Sequence, residues 1–117
     1  MNSMSPAKQE KLEALRRRFL SRVPVMVRDV VDACVRLLGG SPDPEGLASA
    51  LRGAHTLAGT AGTFGLPDVS EAARALEALL RTAQGGGSAL EEAAAVSVIV
   101  ELNRLGRATE RATGAPF

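Results

Sequence analysis

Apolar residues recur every three or four positions through the first third of the chain, at Leu12, Leu15, Phe19, Val23, Val27, Val30, Cys34 and Leu37. That spacing puts them on one face of an α-helix. Ser5-Pro6 before the stripe has the form of an N-cap and first-turn proline, and Gly39-Gly40 ends it. Pro24 lies inside, where a missing N–H and a ring clash predict a kink or a split. Asp43-Pro44 opens a second helix expected to run to Thr63, before Phe64-Gly65. Asp68 and Glu71 have capping-box spacing for a third helix, which carries Val69, Ala72, Ala73, Leu76, Leu79 and Leu80. Gly85-Gly86-Gly87 breaks the pattern. Ser88 and Glu91 repeat the capping-box spacing before a fourth helix with Leu90, Ala94, Val98, Leu102 and Leu105. No run alternates as a strand would. Short connections favour antiparallel neighbours. The expectation is an all-α, up-and-down antiparallel four-helix bundle with an N-terminal helical extension kinked near Pro24. It forms one domain over residues 1–117, frayed at 1–5 and 114–117.

Composition narrows the function classes. The chain has 117 residues, 45% hydrophobic and 23% charged, which is enough apolar surface for a core without a disulfide or a structural metal. It contains no Trp or Tyr and three Phe, which argues against modules that stack nucleic-acid bases on aromatic platforms. Net charge is +1, so no strong overall field attracts nucleic acid or a membrane. The charge is uneven: residues 1–28 hold seven Lys or Arg against two Glu, leaving seven against eleven in the rest. The run Arg16-Arg17-Arg18 points in directions about 100° apart and reads as a solvated helix face. The single cysteine, Cys34, sits among apolar residues and reads as a buried thiol in a reduced, cytoplasmic setting. One Cys and one His make a zinc site untenable, so no metal ligands are assigned. The longest apolar stretch, residues 93–100, is interrupted by Ser97 and falls far short of the roughly 20 residues a membrane span needs. No signal-peptide core is present at the N-terminus.

The second helix carries the chemistry. With His55 at 0° on a wheel of about 100° per residue, Ala50, Leu57, Ala54, Ala61 and Phe64 spread around a core face near 220°. Ala48, Arg52, Ala58, Gly59 and Gly62 lie within about 60° of His55. The only histidine is therefore expected away from the core, ringed by residues with almost no side chain. Each helical glycine costs about 1 kcal/mol relative to Ala. On an exposed face, its physical use is to let another molecule approach the backbone.

Residues 54–66 read Ala-His-Thr-Leu-Ala-Gly-Thr-Ala-Gly-Thr-Phe-Gly-Leu, and Ala75-Leu76-Glu77 follows on the next helix. This resembles the histidine-containing phosphotransfer (HPt) domain, whose pattern is roughly H-x-[LI]-K-G-x-x-x-x-x-G with a Leu-Glu pair on the following helix. His55, Leu57, Gly59, Gly65, Leu76 and Glu77 match in register. The resemblance implies a phosphoryl carrier in a two-component phosphorelay, with a histidine kinase and a response-regulator receiver domain as partners. His55 would be phosphorylated at Nε2. Mg²⁺ would be held by the receiver, with no cofactor on this chain. The chain lacks a Gly-x-x-x-x-Gly-Lys loop, so it is not expected to act as an enzyme with its own nucleotide site.

In the chemotaxis-kinase branch, which residues 62–65 also resemble, a glutamate at the spacing of Glu77 hydrogen-bonds the histidine Nδ1. That would fix the tautomer and leave Nε2 free to attack. The other reading of Glu77 is an ordinary solvated helix residue. One departure stands out: the family lysine three residues after the histidine is Ala58. Arg52, one turn before His55, and Arg74, one turn before Glu77, are the substitutes for its charge, unless both are plain surface arginines. Gly59, Gly62, Arg52 and Ala58 are the expected docking surface. The alternative function is an HPt-derived interaction module that binds a kinase or receiver without carrying phosphate; Ala58 favours it, and the intact His55 favours the carrier. A helical module using its basic first segment on nucleic acid or an acidic partner is the remaining class.

Overall fold

The computed structural model describes residues 5–114. It contains four helices: α1 (Pro6–Leu37), α2 (Pro44–Thr63), α3 (Pro67–Gly85) and α4 (Glu92–Thr113). Among the described residues there is no strand. Each helix packs on its neighbour in sequence, and α1 closes the ring against α4. The three connections alternate between the two ends of the bundle. Asp43 N–H donates to Ser88 O at 3.2 Å, tying the first and third loops together at one end. The expected all-α antiparallel four-helix bundle is what forms.

Helix α1 is one unbroken helix of 32 residues; Pro24 does not split it. At about 1.5 Å per residue it spans about 48 Å, which accounts for most of the 52 Å long axis. Its buried residues begin only at Phe19. Leu12 and Leu15, expected in the core stripe, are 46% and 48% exposed because the first turns of α1 outrun their partner helices. The N-terminal extension is thus the free end of α1 itself. Phe19 stacks on Phe64, the C-cap of α2, ring centroids 5.2 Å apart, where the bundle begins. Arg16 Nε donates to Phe64 O at 3.2 Å, satisfying a carbonyl at the end of α2.

The caps follow local chemistry, with two corrections. Ser5 accepts from Lys8 N–H, and Asp43 from Gly46 N–H at 2.9 Å, as expected of N-caps. Asp68 does not cap α3. The N-cap is Leu66, and Pro67 occupies the first turn. The reason lies upstream: Leu66 N–H donates to Ala61 O and Gly65 N–H to Gly62 O, with Gly65 at φ 77°. This is a Schellman closure of α2, and Pro67 follows directly on its last residue, Leu66. Ser88 does not cap α4 either. It takes φ 67° and its N–H closes α3 onto Ala83 O; α4 starts after Glu91, and Leu90 packs as a buried loop residue. Of the ends expected to fray, Ser5 is the cap of α1 and Gly114 the left-handed cap of α4. Residues 1–4 and 115–117 lie outside the described residues.

The core is aliphatic, with Val23, Val27, Leu47, Leu57, Leu76, Leu80, Val98 and Leu105 fully buried. Cys34 lies within it, and burial pushes its thiol pKa up to about 12. No described helix is long and apolar enough to cross a membrane.

Candidate functional site

His55 lies on the exposed side of α2, with 72% of its side chain accessible. Opposite it on α3, Glu77 has 14% of its side chain accessible. His55 Nδ1 and Glu77 Oε2 are 2.7 Å apart. Arg81, one turn after Glu77, places Nη2 2.6 Å from the same oxygen. Burial pushes the Glu77 carboxyl pKa up. Hydrogen bonds from Arg81 and His55, with their charge, outweigh that and hold it below its ordinary value of 4.5. An ionised carboxylate only accepts, so the proton between the two groups belongs to Nδ1. In the neutral form of the ring Nε2 then carries the lone pair, on the side away from Glu77. Chemically, such an arrangement can present a neutral imidazole as a surface nucleophile.

The residues expected around His55 divide into exposed and buried ones. Gly59 is exposed, and a Cβ there would meet nothing within 4 Å. Gly62 is exposed but faces α3: a Cβ would lie 3.3 Å from Ser70 Oγ and 3.7 Å from Arg74 Nη2. Ala58 is not on the surface. It is 3% exposed, and its carbonyl accepts from the buried Ser70 hydroxyl at 2.8 Å. The buried arc of α2 includes Leu47, Leu51 and Ala58 and therefore centres near about 260°, turned toward α3 from the expected 220°. The wheel located His55 correctly but could not say where α3 would pack.

Arg52 and Arg74 are both exposed, and neither has an ion pair among the described residues. Arg52 borders a shallow groove with Met26, Asp29 and Ser49 on the α1 side. Arg74 sits beside Gly62. Arg81, which sequence reasoning passed over, is the arginine that touches the His55–Glu77 pair. Its signal was present in the Glu-to-Arg i,i+4 spacing, a favourable helical pair. Gly53 was also passed over. A Cβ there would come within 2.8 Å of Val30 Cγ2, so this glycine sets the approach of α1 to α2. A second groove between α1 and α2 is lined by Leu15, Phe19, Met26, Thr56 and Phe64 together with Arg18 and Arg22. No group of three or more His, Cys, Asp or Glu among the described residues is placed to hold a metal ion.

A closed antiparallel ring of four helices with one exposed, carboxylate-tethered imidazole on its second helix has the build of a phosphotransfer module. The Hpt domain family model matches residues 9–111, and the chain belongs to the Hpt domain family, whose role lies in two-component signalling. No curated protein and no solved structure matches the chain.

Proposed function

We propose that this chain is a phosphoryl carrier that accepts on His55 Nε2 and donates to the aspartate of a receiver domain. The observation that carries the reading is the 2.7 Å contact between His55 Nδ1 and Glu77 on a ring that is otherwise open. In acceptance, the Nε2 lone pair attacks phosphorus, and the P–O bond to the donor breaks with its electrons leaving on the donor oxygen. The ring keeps its Nδ1 proton and becomes a phosphorylated imidazolium, whose charge Glu77 balances. Return transfer reverses these steps. Phosphoryl transfer depends mainly on positioning and charge neutralisation, so a bundle without a nucleotide loop suffices. The receiver supplies Mg²⁺ and the aspartate; a histidine kinase or a second receiver is the donor. Exposed Gly59 lets the partner's backbone come close, and the groove bearing Arg18 and Arg22 suits an acidic, partly apolar surface. We place this exchange in the cytoplasm.

Ala58 favours a second reading, an interaction module that docks a kinase or receiver and carries nothing. One experiment separates the two. The domain is incubated with a phosphorylated receiver and assayed for acid-labile, base-stable label. The carrier takes up label at His55 alone, and folded His55→Gln takes up none. Label persisting in that variant moves the site elsewhere; binding without label in the unaltered chain establishes the interaction module.

A further inference from the structure

The contact that sequence reasoning did not assign is the one from Arg81 to Glu77. Glu77 Oε2 accepts from both His55 Nδ1 and Arg81 Nη2, at 2.7 and 2.6 Å. Glu77 is the least exposed of the three, at 14%, with His55 at 72% and Arg81 at 64%. A carboxylate shut off from water on most sides has two ways to lower its energy: take a proton or gain a cation. Arg81 provides the cation from the next turn of the same helix, where the Glu-to-Arg orientation is the favourable one. Its guanidinium holds the carboxylate through a directional N–H.

We infer that Arg81 is a positioning residue: it keeps Glu77 ionised and aimed at Nδ1, and thereby holds the His55 ring in the tautomer that exposes the Nε2 lone pair. Without an acceptor at Nδ1, a histidine side chain favours the other tautomer, with the proton on Nε2, where it blocks attack on phosphorus. Arg81 touches neither the reacting nitrogen nor any phosphoryl group, so its influence passes through Glu77. Arg52 and Arg74 lack an equivalent contact among the described residues. Ala58, buried under Ser70, offers no charge. The inference depends on the proposed phosphoryl transfer for its effect on rate but not for its effect on the ring.

The test reads the ring directly. His55 is the only histidine, so ¹⁵N-labelled protein gives a single imidazole pair, recorded at a pH where the ring is neutral. In the unaltered chain Nδ1 gives the shift of a protonated nitrogen and Nε2 that of an unprotonated one. Arg81→Ala is expected to move both shifts toward averaged values and to slow transfer from a phosphorylated receiver by about two- to three-fold, the scale of an exposed i,i+4 pair. Arg81→Lys, which keeps the cation, should restore most of both. Glu77→Gln should shift the ring with Arg81 still present. Ring shifts in Arg81→Ala that match the unaltered chain overturn the inference and leave Arg81 an ordinary surface ion pair. If the ring shifts as expected but no form of the chain accepts phosphate, the positioning role stands and the carrier reading falls.

Discussion

Three glycines on α2 should respond in three different ways to a side chain. Gly59 is open: a Cβ there meets nothing within 4 Å. Gly59→Gln therefore removes the helix penalty of glycine without a clash. Glycine lies about 1 kcal/mol above Ala in helix propensity and glutamine somewhat less than half as far, so the gain is about 0.5 kcal/mol. In a domain of this size, that raises the melting temperature by about 3 °C. The same side chain stands one turn after His55 and occupies the space through which a receiver must approach. Reacting atoms must come within about 3–3.5 Å, so transfer should fall about ten-fold or more. Gly53→Ala should do the reverse. Its Cβ would lie 2.8 Å from Val30 Cγ2, and overpacking of this kind costs about 1–3 kcal/mol. Stability drops, while transfer by the folded fraction stays near the unaltered rate. Gly62→Ala falls between, since its neighbours at 3.3 and 3.7 Å are the hydroxyl of Ser70 and the tip of a long arginine. Thermal unfolding by circular dichroism and transfer from a phosphorylated receiver give the two coordinates for each variant. A Gly59→Gln protein that is more stable yet transfers at the unaltered rate refutes approach over this face. One that is less stable refutes the reading of Gly59 as unpacked.

Ala58→Lys tests the departure from the family pattern. Position 58 is buried against α3, so the lysine must run its stem along the α2–α3 seam to reach water, and a stability loss of about 1 kcal/mol or more is expected by chemical denaturation. A few-fold gain in phosphoryl acceptance that also offsets loss of Arg52 or Arg74 would identify the arginine now acting in its place; no change in rate across the three variants assigns the neutralising charge to the partner. The Glu77 cluster sets an acid limit. Its carboxyl pKa is held below 4.5 in the folded state, so its contribution is complete above pH 4.5 and is lost as pH falls through the folded value. In urea titrations, the stability difference between the unaltered chain and Glu77→Gln should shrink on the acid side of pH 4.5; a difference unchanged down to about pH 2 would show that the ion cluster does not stabilise the fold.

Much of this architecture is written in local chemistry. Apolar spacing of three and four residues and the Pro-led starts at Pro6 and Pro44 act within one turn of their own positions, and so does the Gly65 closure. They can be read before any packing is known. The exposed position of His55 follows from the same periodicity, because a residue opposite Ala50, Leu57 and Ala61 has nowhere to go but outward. What a single helix cannot reveal is the direction from which its neighbours arrive. Helix α3 packs about 40° further round α2 than the apolar residues alone imply, burying Ala58 under Ser70 and bringing Gly62 against Arg74. The caps at Asp68 and Ser88 failed for a related reason: closures of the preceding helices had already claimed those turns. Which arginine meets the His55–Glu77 pair was decided across 22 residues of sequence, by a side-chain geometry that places Glu77 beside His55 and Arg81 in contact with Glu77. Periodicity is a property of each helix alone; which side chains meet between helices depends on the rotation of one against another, and that is set by the whole core at once.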